Sequence, residues 1–206
     1  MEGFVKKGGI LVTTYWSGMV DENDLCFLGG FPGPLRQLTG IWAEEIDTLY
    51  DSEENGMVLK NNNSLGIYGR YKTVKFCELI HTESAEVLAE YESDFYKGRP
   101  ALTVNSVGEG KAYHMAARCE NSFLNDFYDC MIAVYDLKKA INAALPEGVT
   151  AQLRSDGKKK YMFIMNFSEE EKTVDLGDGH FFELISGSEV AGMLVLKPYG
   201  VAVLES

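Results

Sequence analysis

The chain of 206 residues is 46% hydrophobic and 24% charged, ordinary proportions for a globular protein, which excludes disorder and fibre and leaves room for one large or two small domains. Its 31 acidic against 19 basic residues give a net charge of −12, a field that repels polyphosphates and anionic surfaces, so neither nucleic acid nor membrane is an expected partner. Cys26, Cys77, Cys119 and Cys130 stand far apart with no C-x-x-C between them, so reduced, mostly buried thiols are expected rather than a zinc site or a disulfide framework.

Met1 to Lys7 sets Phe4 and Val5 among charges, as in the last turns of an amphipathic helix, and carries no apolar leader-like stretch. A cytoplasmic location is expected, in which the glycosylation patterns at Asn62-Asn63-Ser64 and Asn166-Phe167-Ser168 have no consequence. After Gly8-Gly9, a helix-ending pair, the run Ile10, Leu11, Val12, Thr13, Thr14, Tyr15, Trp16 reads as a parallel strand buried on both faces. Met19 to Asp24 is acidic and turn-like, but Cys26 replaces the sixth-position glycine a calcium loop requires. Gly29 to Ile41 then gives a tight turn and a one- to two-turn helix, with Pro34 suited to its first position and a stop at Gly40.

Two blocks carry a resemblance. Thr14-Tyr15-Trp16-Ser17-Gly18, Val20-Asp21-Glu22-Asn23-Asp24 and Leu28-Gly29-Gly30-Phe31-Pro32-Gly33-Pro34-Leu35-Arg36 form the first, and Ala85-Glu86-Val87-Leu88-Ala89 with Asp94-Phe95-Tyr96-Lys97-Gly98-Arg99-Pro100-Ala101 the second. Together they resemble the trimerisation domain of family 42 glycoside hydrolases, the β-galactosidases that hydrolyse terminal β-galactosides. The resemblance implies a partial flavodoxin-like (class I glutamine amidotransferase-like) α/β fold, entered partway so that its first strands are missing, and association of three subunits around a closed axis. If missing strands would pair with Ile10 to Tyr15, that strand offers an apolar edge to another chain.

Further along, Ile41 to Leu49 is a strand or a short helix by periodicity. Asp51 to Gly66, broken by Gly56 and three asparagines, reads as a surface insertion, and Lys72 to Ile80 as a short strand near an edge, followed by a turn at Thr82 to Ala85. Val87 to Tyr91 is a strand, and Ala101 to Val107 with Lys111 to Arg118 a hairpin covered on both faces, turning at Gly108-Glu109-Gly110. Asn125 to Leu145 carries a helical stripe stopped by Pro146-Glu147-Gly148, which sets the expected boundary between an α/β domain over 1–145 and a β domain over 146–206. Past it the period becomes two, and short strands with an Asp156-Gly157 turn and a Pro198-Tyr199-Gly200-Val201 ending predict a small antiparallel β-sandwich, similar to the C-terminal β domain of the same family.

No catalytic, cofactor-binding or metal residue is expected. A retaining glycosidase needs two carboxyl groups about 5 Å apart, and in the family they sit on a barrel of about 250 residues with the acid in an Asn-Glu pair that this chain lacks. Glu44-Glu45 and Glu169-Glu170-Glu171 read as solvated faces. Neither Cys26 nor Cys119 lies in a nucleophile elbow, and His81, His114 and His180 show no metal-ligand spacing. Tyr161, Phe163, Phe167, Phe181, Phe182 and Tyr199 could stack on sugar, but strand alternation is expected to put most of them in the core. The leading expectation is a non-catalytic assembly region that partners the catalytic barrel of its enzyme; the alternative is a carbohydrate-binding module using the β domain.

Overall fold

The computed structural model describes residues 1–206, and the chain divides into two compact units, Met1–Leu137 and Lys138–Ser206. In the first, helix α1 (Glu2–Lys6) is followed by Gly8 at φ +98°, a left-handed turn that feeds β1 (Ile10–Thr14). Strand β1 runs parallel to β7 (Gly110–Met115), with Ile10 opposite Lys111. Ile10 and Val12 pack on the main core and Leu11 on a smaller one with Val5, Leu38 and Ala112, so both faces meet apolar neighbours. These three are only partly buried, and Thr14 and Trp16 are exposed, a less enclosed strand than the unbroken apolar run predicts.

The remaining strands are β2 (Ile41–Thr48), β3 (Asn55–Leu59), β4 (Arg70–Thr82), β5 (Glu86–Tyr91), β6 (Pro100–Val107) and β8 (Ala117–Cys119). Together they form an eight-stranded mixed sheet in the order β1-β7-β6-β5-β3-β4-β2, with β8 added to β4. β1–β7 is its parallel pair and the other pairs are antiparallel. Strand β1 closes one end of the sheet, which leaves its outer edge without a partner. The 3-10 turn Gly33–Leu35 and α2 (Arg36–Thr39) follow the expected plan, with Pro34 in the first turn and Gly40 at φ +67° ending the helix. The amide of buried Asn105 donates to the Gln37 and Leu38 carbonyls that this ending exposes.

Three expectations need correction in this unit. Asp51 to Gly66 is not a surface insertion: Asn55, Gly56, Met57 and Leu59 are buried and β3 lies inside the sheet between β5 and β4. Its polar content is absorbed locally, since Asn55 bonds Ser93 and Asn63 bonds the Lys60 and Ile67 carbonyls. Lys72 to Ile80 belongs to a 13-residue strand that pairs with β2, β3 and β8. The helix is α3 (Asn121–Val134), not 125–145; Phe123, Phe127 and Met131 form its buried stripe, and Asp136 at φ +48° follows its end. Ile141 and Leu145 continue the spacing by coincidence and pack instead on the core of the second unit.

The second unit holds β9 (Val149–Ser155), β10 (Lys160–Asn166), β11 (Lys172–Glu183), β12 (Ser188–Leu196) and β13 (Val201–Glu205). They make a single antiparallel sheet, β12-β11-β13-β10-β9, rather than two separate sheets. Strand β11 pairs with β13 through Phe182 and Glu183 only, and a register shift between Asp175 and His180 interrupts its pairing with β12. Beyond that irregularity the β11–β12 hairpin contributes Val174, Leu176, Leu194 and Leu196 to the core already lined by Met162, Ile164, Ala202 and Leu204. One interrupted sheet thus does the work expected of two layers.

Candidate functional site

The end of β1 is held by a buried polar series. His114, on β7, places Nδ1 2.9 Å from Thr13 Oγ1 and Nε2 2.7 Å from Glu78 Oε2, while the Thr13 hydroxyl donates to the Tyr113 carbonyl. The other Glu78 oxygen accepts the Trp16 N–H at 3.1 Å. Hydroxyl, imidazole and carboxylate stand in the order of a nucleophilic triad, but Thr13, His114 and Glu78 are only 7%, 1% and 2% exposed, so no substrate can reach the hydroxyl. The series serves position instead. It satisfies a carboxylate that burial would otherwise make costly, and it fixes Trp16 at φ +67°, a conformation few bulky residues adopt. Trp16 then lies against Phe76 with ring centroids 4.9 Å apart and 54% of its surface exposed. The loop it opens carries Leu25 and a fully exposed Leu28.

A second array lies on β2 and β4. The Arg36 guanidinium forks onto Glu83 and lies 5.9 Å from the Trp42 ring, whose other neighbour is His81, stacked at 4.2 Å with 6° between the planes. His81 Nε2 is 2.7 Å from Glu44, and Arg99 approaches both. Hydrogen bonding from His81 holds the Glu44 carboxyl below its ordinary range, and Arg36 does the same for Glu83. Arginine and tryptophan at a partly exposed surface are the composition of protein interface anchors.

Of the residues weighed from sequence, Glu44, Glu45, Glu169, Glu170 and Glu171 are all exposed, with Glu44 paired to His81, Glu170 to Lys172, and Glu169 accepting from the Tyr199 hydroxyl. Cys26 is exposed; Cys77 is buried and its thiol is pushed up by that burial, and burial pushes Cys119 up to about 12, which makes a nucleophilic thiolate unfavourable. His180 is exposed on β11. The six aromatics of the β domain are a correction: only Phe181 packs against the core, Tyr161 and Phe163 are partly buried, and Phe167, Phe182 and Tyr199 are exposed. Alternation is symmetrical between faces, and here register turns Met162, Ile164 and Asn166 inward. Glu78 was missed, although a lone carboxylate in Phe76-Cys77-Glu78-Leu79-Ile80 is a signal of a buried partner.

The chain is thus a mixed α/β unit with an open strand edge followed by a small antiparallel β unit. Residues 1–138 match the family model described as the beta-galactosidase trimerisation domain, and residues 148–206 that of the beta-galactosidase C-terminal domain. The chain belongs to the family 42 β-galactosidases, as part of their C-terminal region. It is 55% identical to beta-galactosidase Pbg of Clostridium perfringens over 99% of this chain and 30% of that protein, and 48% identical to BglY of Alicyclobacillus acidocaldarius over 100% and 30%. The crystal structure of the Bacillus circulans sp. alkalophilus β-galactosidase superposes with a TM-score of 0.80 at 41% identity, covering 99% of this chain and 30% of that one. The chain therefore spans about 30% of the length of the curated relatives it matches.

Proposed function

We propose that this chain is the non-catalytic assembly region of a β-galactosidase, gathering three subunits and supporting a catalytic barrel that lies outside these residues. The observation that carries it is the match of residues 1–138 to a trimerisation domain. Physical support comes from the unpaired edge of β1, which is flanked by an apolar groove of ≈ 330 Å³ whose lining includes Phe4, Ile10, Val12 and Met131. An open edge beside apolar surface favours pairing with another chain. Trp16, Leu25 and Leu28 supply further anchors. The parallel β1–β7 pair supports a flavodoxin-like core extended across that edge in the assembled protein.

None of the side chains described above is assigned a catalytic, metal or cofactor role. The free cysteines support a cytoplasmic setting, and no helix is long and apolar enough to cross a membrane. Sedimentation velocity of the 206-residue chain is expected to show a trimer, and Trp16→Ala to weaken it at least several-fold. A clean monomer at high concentration overturns this function, as does turnover of a chromogenic β-galactoside that a carboxylate substitution abolishes.

A further inference from the structure

The outer face of the five-stranded sheet is not what a solvent-facing antiparallel sheet presents. Register places Tyr161 opposite both Arg154 and Glu205, and Glu205 opposite Phe182; in the next rows Phe163 faces Gln152 and Val203, and Met165 faces Thr150 and Val201. Residues directly opposite one another share a face, and their neighbours Met162, Ile164, Ala202, Leu204 and Glu183 all point inward. The outer face of β10 and β13 is therefore Tyr161, Phe163, Met165, Val201, Val203 and Glu205, with Phe182 of β11 beside Glu205; Val201 is 48% and Phe182 44% exposed. Antiparallel sheets wetted on one side ordinarily alternate apolar-in with polar-out. Here β10 and β13 are apolar on the outer side except at Glu205, which is paired with Lys159, and the other polar residues opposite them, Thr150, Gln152 and Arg154, lie on the edge strand β9.

We propose that this face is a docking surface for the part of the polypeptide that family members carry outside this region, and not a solvent face or a site of free dimerisation. The inference rests on the family reading, since it requires that larger part. Two observations select the occupant. Two strands about 4.8 Å apart sharing three cross-strand rows, with Phe182 of β11 added to one of them, give a patch on the order of 200 Å². A stable independent interface needs roughly 800 Å² from each partner, so two copies joined through this face alone would not hold together. A covalently attached domain needs far less, because linkage has already raised its effective concentration to about the millimolar range. The matched relatives supply such a partner, with this region making up 30% of their length. The aliphatic rows of Met165, Val201 and Val203, beside the aromatic ones, suit a protein surface better than a sugar ring.

The test grafts this chain into the Clostridium perfringens relative in place of its matching region and compares that chimera with the 206-residue chain alone. Carbene footprinting is expected to label Tyr161, Phe163 and Met165 in the chain alone and to find them protected several-fold in the chimera. Phe163→Glu and Val203→Glu are expected to leave the unfolding midpoint of the chain alone unchanged, and to lower that of the chimera's C-terminal transition by about 5 °C. Equal labelling in both overturns the proposal. Protection already present in the chain alone overturns it too, by showing the face covered without the added domain, and protection produced only by added lactose reassigns the face to sugar. Trimer formation by the 206-residue chain is measured separately and is expected to survive Phe163→Glu, so failure of the assembly function and failure of this docking face give different results.

Discussion

The two units solve the same problem of covering a sheet with different chemistry. In the first, both faces of the eight-stranded sheet carry apolar clusters, so the strands between them have no water to turn to, and buried Thr13, Glu78, Asn105 and His114 satisfy one another or nearby backbone. In the second, a single core covers one face of the five-stranded sheet, and its buried polar groups Asn166 and Glu183 bond mainly backbone, Asn166 donating to the Glu170 and Lys197 carbonyls and Glu183 accepting from the Ile185, Ser186 and Val203 amides. A sheet enclosed on both sides needs long-range polar pairing to specify its arrangement. A sheet enclosed on one side holds its fewer buried polar groups mainly with backbone, and leaves its other face available.

Breaking the long-range pair has the largest expected effect. Glu78→Ala leaves His114 without its partner and releases Trp16, at a cost of about 3–5 kcal/mol; denaturant unfolding should show the first unit's transition moving while that of the second stays. Loss of both transitions together would erase the distinction between the units. Ile164→Ala, at a fully buried position, removes apolar packing from the second unit at about 3 kcal/mol and is expected to do the reverse.

The smallest effect sharpens the comparison by pH. Burial alone would raise the Glu183 carboxyl, but hydrogen bonds from Ser186, Val203 and Ile185 override it and hold it at about 2 against an ordinary 4.5. A lowered folded value means that the stabilisation is present above about 4.5 and is lost as pH falls toward 2, a decline on the order of 2 kcal/mol. Thermal midpoints of the second unit across that window should fall more in the native chain than in Glu183→Gln, whose curve should be flatter.

Much of this was legible in the residues themselves. The run from Ile10 to Trp16 has no polar position before Thr13, which suits the strand that forms with apolar neighbours on both faces, though it is less buried than the run predicts; Pro34 and Gly40 bracket a short helix; and the glycines at 108 and 110 turn the β6–β7 hairpin. These are local constraints, set by backbone geometry and by apolar runs that have few alternatives. The family resemblance in residues 14–36 and 85–101 was legible for the same reason, because turn glycines and prolines keep recognisable spacing.

What only the tertiary structure decided is which face or which neighbour each segment takes. Alternation in β10 is equally consistent with Tyr161 and Phe163 inside or outside, and pairing with β9 and β13 chose outside. The Asn55–Leu59 segment, flanked by polar residues, became an interior strand whose Asn55 donates to the Ser93 carbonyl and accepts from the Ser93 N–H and hydroxyl, and Glu78 met His114 across 36 residues of chain. Sequence reports the free energy of a residue's own conformation and immediate surroundings. The energy of a contact between distant segments exists only once the fold has brought them together.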